Sequence, residues 1–385
     1  MTSYKLPKEM EAYIKENTDA LVDLLVSLCK VPAPSLHEQQ RAKFCKEYLE
    51  SCGAKKVHID EALNVLYPIG CAEHDEIVIF MAHMDTVFPD TTPMPVKIKD
   101  NKIYSPGVGD DTANLAILLL MAKYITLSNL KPNCGILFVA NSGEEGLGNL
   151  KGCKQLIKDY GKRIREVISF DCTYNTLCQK AVGSSRYKIT VRTEGGHSFQ
   201  DFGNRNAIYY LSSLITKLYA IDIPKVGESQ TTYNVGVIEG GTSVNTIAEN
   251  ASVLYEYRSD THECLEIMKN NFTTVINEYV AKGLDIEIEE LGTRPCMQHT
   301  NIALQSALTK RCEALITYYT GHKPKLVSAS TDCNIPFSLG IPTVCFGLYQ
   351  GAGAHTREEW VDISSLTTGF HLAAGLILQY FESAS

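Results

Sequence analysis

Apolar residues recur at helical spacing from about Lys8 to Lys30, where Leu21, Leu24, Leu25 and Leu28 form one stripe, and the prolines of VPAPS stop that helix. The spacing predicts a second helix from His37 to Cys52. Past Gly53 the pattern changes to short apolar runs, VHID, NVLYPIG and EIVIFMAH, the last continuous as in strands buried on both faces. A helix from about Thr112 to Ser128, a strand GILFVANS, a helix near Leu150 to Tyr160 and a strand EVISFD continue the alternation. Strands and helices taking turns predict an α/β layer fold, with functional side chains at the carboxyl ends of strands.

Near Gln179 the rhythm changes. A strand YKITVRT, a helix from Ala207 to Tyr219, strands TTYNVGVIEG and ASVLYEYRS, a helix from Glu263 to Tyr279 and a strand DIEIEE follow one another. This β-α-β-β-α-β order is the split βαβ pattern of a small four-stranded domain. After Arg294 the earlier rhythm resumes, with a helix from Ile302 to Tyr319, a strand IPTVCFG and a helix from Ile363 to Phe381. Residues 178–294 therefore read as a domain inserted into a larger one made of 1–177 and 295–385.

Composition narrows the function classes. Over 385 residues, 44% hydrophobic and 21% charged is normal for a folded globular enzyme and too apolar for a disordered chain. A net charge of −8 with no long basic run leaves no footprint for a nucleic-acid backbone. The thirteen cysteines are scattered without C-x-x-C spacing, the opening MTSYKLPKEMEAY lacks the apolar core of a secretory signal, and no segment is apolar for long enough to span a membrane. The expectation is a cytoplasmic protein with no membrane partner.

The strand ends carry the chemistry. EIVIFMAH runs into MAHMDTV, where His83 and Asp85 point to one face, and Asp85 is placed to organise a histidine that binds metal. The next connection, SPGVGDDTANLA, sets Asp110 and Asp111 at a glycine turn before a helix; Asp111 alone could be a helix N-cap. GILFVANS ends in GEEGLG, so Glu144 and Glu145 diverge, one free to hold a metal while the other faces the activated water. EVISFD ends at Asp171, and IPTVCFG leads into LYQGAGAHTREEW with His355. Five protein ligands are too many for one tetrahedral zinc but suit two ions sharing a carboxylate, and three carboxylates with a hydroxide would balance two divalent charges.

With these motifs in this order, nearly the whole chain resembles the dinuclear-zinc hydrolases that include peptidase T, glutamate-releasing carboxypeptidase, aminoacylase and the acetylornithine and succinyl-diaminopimelate deacylases. The resemblance implies a zinc-exopeptidase catalytic domain, a mixed sheet flanked by helices, with an inserted ferredoxin-like lid that also forms a homodimer interface. It implies His83 and Asp171 as ligands of one zinc, Glu145 and His355 as ligands of the other, Asp110 bridging both before a cis peptide bond, Asp85 as the partner of His83, and Glu144 as general base. In the lid motif TEGGHSFQDFGNRNAI, His197 would contact the scissile carbonyl, in some members from the partner subunit, although Phe199 and Gln200 depart from the small-residue and proline pattern there. Asn245 and Arg258 stand where relatives hold substrate. The expected cofactors are two divalent ions, zinc first, with cobalt or manganese acceptable to the same donors.

The expected function is hydrolysis of short peptides by an exopeptidase of the peptidase T kind. Deacylation of N-acyl amino acids is the alternative; a non-catalytic metal-binding scaffold is a third, opposed by the presence of both Glu144 and Glu145.

Overall fold

A computed structural model describes residues 4–298 and 301–382, so the first three residues of the segment read for a secretory signal lie outside it. The described residues divide into two compact units, one built from the chain up to Lys180 and from 301 onward, the other Ala181–Gln298.

The first unit is built on an eight-stranded mixed sheet, in the order His58–Ile59, Val65–Ile69, Gly135–Asn141, Ile77–His83, Ile164–Ser169, Thr343–Cys345, Thr176–Ala181 and Lys325–Ala329. Its centre is parallel: Ile77–His83 pairs with Gly135–Asn141 on one side and Ile164–Ser169 on the other, and Thr343–Cys345 pairs with Ile164–Ser169. Every residue of the first two of these is buried. Side chains of period two divide between the faces: Val78, Phe80 and Ala82 join the core that contains the helices Thr18–Cys29, Asn114–Ser128 and Ile363–Ile377, while Ile77, Ile79 and Met81 join a second core with Leu156 of the helix Lys151–Tyr160. Parallel strands end on one edge, which brings the loops after His83, Asn141, Ser169 and Cys345 together.

One predicted helix is two. Lys8–Lys30 divides into Lys8–Glu16 and Thr18–Cys29 at Asn17, whose φ of −110° and ψ of 12° leave the helical range and whose amide donates to the Tyr13 carbonyl. Asn commonly trades helical backbone bonds for such local ones. A second four-stranded sheet, Gly351–Ala352, Trp360–Asp362, Lys102–Tyr104 and Lys97–Lys99, escaped the sequence pattern because its strands are only two or three residues long.

The helix Ile363–Ile377 packs so closely that a Cβ at Gly369 would sit 1.4 Å from the Leu348 carbonyl oxygen. Gly369→Ala should therefore destabilise the protein by about 3 kcal/mol, the upper end for overpacking. Gly161→Ala, at φ −42° with its nearest neighbour 3.5 Å away, should change stability by less than about 1 kcal/mol. Denaturant midpoints of the two variants check this; equal midpoints would mean that the helix slides to absorb the methyl.

In the second unit four antiparallel strands lie in the order Thr231–Gly240, Asn250–Ser259, Gly183–Arg192 and Asp285–Arg294. Ile189, Val191, Val253 and Tyr255 share one core with Leu211 and Leu214 of Ala207–Tyr219 and with Met268 and Phe272 of His262–Val280. The chain order is β-α-β-β-α-β.

Candidate metal centre

His83 closes the strand Ile77–His83 and is 2% exposed; Asp171 follows Ile164–Ser169 by two residues and is also buried. Asp110 lies on the turn between Gly107 and the helix Asn114–Ser128, and its peptide bond to Asp111 is cis. Its two carboxylate oxygens face two histidines, with Oδ1 3.1 Å from His83 Nε2 and Oδ2 3.1 Å from His355 Nε2. Glu145 Oε1 lies 3.0 Å from the same His355 nitrogen. Ligand atoms of His83, Asp110 and Glu145 all fall within 4.8 Å of one another, as do those of His83, Asp111 and Asp171.

Asp111 belongs to the second of these groups by distance, but both its oxygens are engaged. Oδ2 accepts the His83 backbone N–H at 2.8 Å and Oδ1 accepts the Asn114 amide at 2.6 Å. It caps no helix, contrary to the simplest sequence reading; the following helix has no side-chain cap. Asp85 has contacts beyond its place beside His83. His83 Nδ1 contacts the Asp85 backbone carbonyl at 3.0 Å, while the Asp85 carboxylate is 3.6 Å from that nitrogen. That carboxylate instead accepts the Glu144 N–H at Oδ1 (3.0 Å) and the Glu145 N–H at Oδ2 (2.9 Å), with the Ser35 hydroxyl donating to Oδ2 as well. One buried aspartate thus touches His83 and holds the backbone of both glutamates.

Two further polar residues tie the loops together, and both were missed from sequence. Asn114, fully buried, donates to Asp111 and to the Cys172 carbonyl and accepts the Leu348 N–H, joining three loops. Arg41, 1% exposed, donates twice to the Val31 carbonyl and once to Met84 of the MAHMD turn. In QQRAKFCKEYLES Arg41 looks like a solvated helix position, and only a long-range contact distinguishes it.

The electrostatics are those of crowded carboxylates. Burial, reinforced by the negative charge of Asp110, pushes the Asp171 carboxyl up to about 6. Burial would do the same to Asp110, but His355 and His83 outweigh it and hold its carboxyl low. Hydrogen bonds to Asp110 and Glu145 push the His355 imidazole up to about 11; burial opposes the charge on His83, yet Asp111, Asp110 and Asp85 raise it well above the usual range. Glu145 Oε1 is buried beside His355 Nε2, inside the cluster. Two imidazole nitrogens with three carboxylates form a donor set suited to two divalent ions.

The sequence profile described as peptidase family M20/M25/M40 matches residues 79–379. The chain belongs to this family. As an M20 protein it is a hydrolase of the metallopeptidase and amidohydrolase class, in a family of dinuclear-metal peptidases and deacylases. It is similar to succinyl-diaminopimelate desuccinylase of Corynebacterium glutamicum, with 23% identity over 97% of this chain and all of that one. Among solved structures, aminopeptidase PepT of Bacillus cereus shares 22% identity with a TM-score of 0.71, and a tripeptidase of Staphylococcus aureus 22% with a TM-score of 0.76. Each alignment covers 94% of the M20 chain and 98% of the other. Among the described residues, no helix of the M20 protein is long and apolar enough to cross a membrane.

The remaining candidates of the M20 chain, His197, Asn245 and Arg258, belong to the second unit. His197 is on a two-residue strand paired with Thr246–Ile247, and the Ser198 N–H donates to the Asn245 carbonyl, so these two are neighbours. Arg258 is apart from them. It stands eight residues along the strand from Asn250, roughly 27 Å at strand rise, with its guanidinium on Glu256 at 2.8 and 3.0 Å.

Proposed function

We propose that this protein hydrolyses amide bonds of short peptides, releasing one terminal residue at a time. The observation that carries the reading is Asp110, with one oxygen facing His83 and the other facing His355, flanked by Asp171 and Glu145. His83 and Asp171 would hold one divalent ion, His355 and Glu145 a second, and Asp110 both; zinc is our reading, with cobalt or manganese acceptable to the same donors. Bound there, the ions would acidify water and polarise the amide carbonyl. Glu144 takes the proton of the attacking water and returns it to the departing amine. His197 donates to the oxygen that gains charge, and Arg258, with Asn245, binds the substrate carboxylate.

We infer that the protein acts as a homodimer through the second unit. The separation of His197 and Asn245 from Arg258 along one sheet supports this, because the three then attend one substrate only if two copies contribute. The exposed Val237 and Ile238 on the edge strand Thr231–Gly240, with Tyr209 on Ala207–Tyr219, supply apolar surface for pairing. Thirteen cysteines, all free, fit a cytoplasmic protein.

Deacylation of N-acyl amino acids is the second reading, favoured by the desuccinylase that aligns with the chain from end to end. A panel of dipeptides, tripeptides and N-acyl amino acids, assayed before and after chelation and zinc re-addition with products identified by mass, separates the two. Metal-restored release of one terminal residue is the expected result. Turnover confined to N-acyl amino acids would move the assignment to the second reading, and silence on the whole panel would sink both.

A further inference from the structure

The turn carrying Asp110 follows a course that no residue so far described imposes. Glu359, four residues beyond His355, is 1% exposed. Its carboxylate accepts three backbone donors of that turn: Gly107 N–H at Oε2 (2.6 Å), and Gly109 and Asp110 N–H at Oε1 (3.0 and 2.8 Å). Its own carbonyl accepts the Ser105 N–H at 3.1 Å, continuing the ladder in which Trp360 pairs with Tyr104.

The backbone can wrap the carboxylate only because side chains are missing where they would intervene. Gly107 has φ +70°, and a Cβ there would lie 2.6 Å from Thr86; a Cβ on Gly109 would lie 2.4 Å from the Tyr349 hydroxyl. Successive N–H groups converging on one anion form a nest, and the three donors work against the burial that raises this carboxyl above its usual range. A carboxylate bound this way is a rigid post. One side of it is the backbone N–H of Asp110, and the other is the short chain that leads back to His355.

We infer that Glu359 is a positioning residue of the metal centre, setting the distance between Asp110 and His355 and so the affinity of the ion that those two share with Glu145. This rests on the reading of Asp110 and His355 as ligands. Glu359 itself touches neither substrate nor ion in this assignment.

Glu359→Gln tests it. The amide keeps the shape but turns a donor towards a donor whichever way it is oriented: towards Gly107 N–H in one rotamer, towards Gly109 and Asp110 N–H in the other. Zinc affinity is measured on the intact protein by competition with a chromophoric chelator, alongside the melting temperature of the metal-free form and turnover at saturating zinc. The expected result is two zinc ions on the wild type, and in the variant one of them weakened by about 10- to 100-fold, with the second nearly unchanged and turnover largely restored by excess zinc. Two ions bound with wild-type affinities would overturn the inference. So would an equal loss at both sites accompanied by a lower metal-free melting temperature, which would make Glu359 a stabiliser of the fold only. A wild type that fails to take up two ions would instead sink the underlying metal-centre reading. If Glu359→Gln does not fold, Glu359→Asp, which keeps the charge but withdraws it by one methylene, should show the same selective loss to a smaller degree; unchanged affinities there would overturn the proposal.

Discussion

Glu144→Gln should lower kcat by about 10²- to 10⁴-fold while leaving metal content and fold unchanged, the range expected when a general base is removed. The geometry explains why the loss should be so cleanly confined. Glu144 and Glu145 are adjacent, and each donates its backbone N–H to a different oxygen of Asp85. Main-chain anchoring fixes both residues without using either side chain, so changing one carboxylate to an amide leaves its neighbour in place. Gly143 and Gly146, at φ +69° and +50°, bracket the pair and set the turn. Glutamine has the size of glutamate but carries no charge and cannot take a proton from water. Metal analysis and steady-state kinetics on the same sample check the prediction; near wild-type turnover with both ions bound would remove Glu144 from the base role.

Asp110→Asn should have the second large effect, and a different one. The Asp110 oxygens stand 3.1 Å from His83 Nε2 and 3.1 Å from His355 Nε2, so this carboxylate is common to both halves of the centre. An amide there would offer one weak oxygen donor instead of two charged ones. Binding of the ion pair should fail, and excess zinc should not restore turnover. Stability reports the same loss independently of activity. An ion held at 100 times its dissociation constant stabilises the folded state by about 2.7 kcal/mol, so chelation should lower the melting temperature of the wild type markedly. For Asp110→Asn, melting curves with and without chelator should coincide. A variant that still binds two ions with wild-type affinity would show that another residue bridges them.

The cluster of candidate donors was legible because one regularity repeats. The buried run EIVIFMAH ends in His83 and GILFVAN is followed within four residues by Glu144 and Glu145, and a parallel sheet brings such ends to one edge. The split βαβ unit was readable for a similar reason, since its ten-residue strands carry period-two patterns long enough to recognise. What failed to show was the support. Asn114, Arg41 and Glu359 are polar residues in helix or loop contexts where solvation is the ordinary fate, and their burial follows from partners that are remote in sequence. Part of what Asp85 does was hidden in the same way. Its proximity to His83 is local and visible, but its bonds to the Glu144 and Glu145 N–H groups exist only once two loops meet.

The spread of the ligands along the chain has a consequence for how the enzyme is made. His83 is synthesised early and His355 near the end, with the whole of Ala181–Gln298 between them. The strand Thr343–Cys345, which precedes His355, must still find its place beside Ile164–Ser169. On the proposed assignment, a nascent chain that lacks His355 would therefore have no complete two-ion site to offer. If His83 and His355 serve one centre as proposed, its loading would be a post-translational event that waits for the segment carrying His355 to dock.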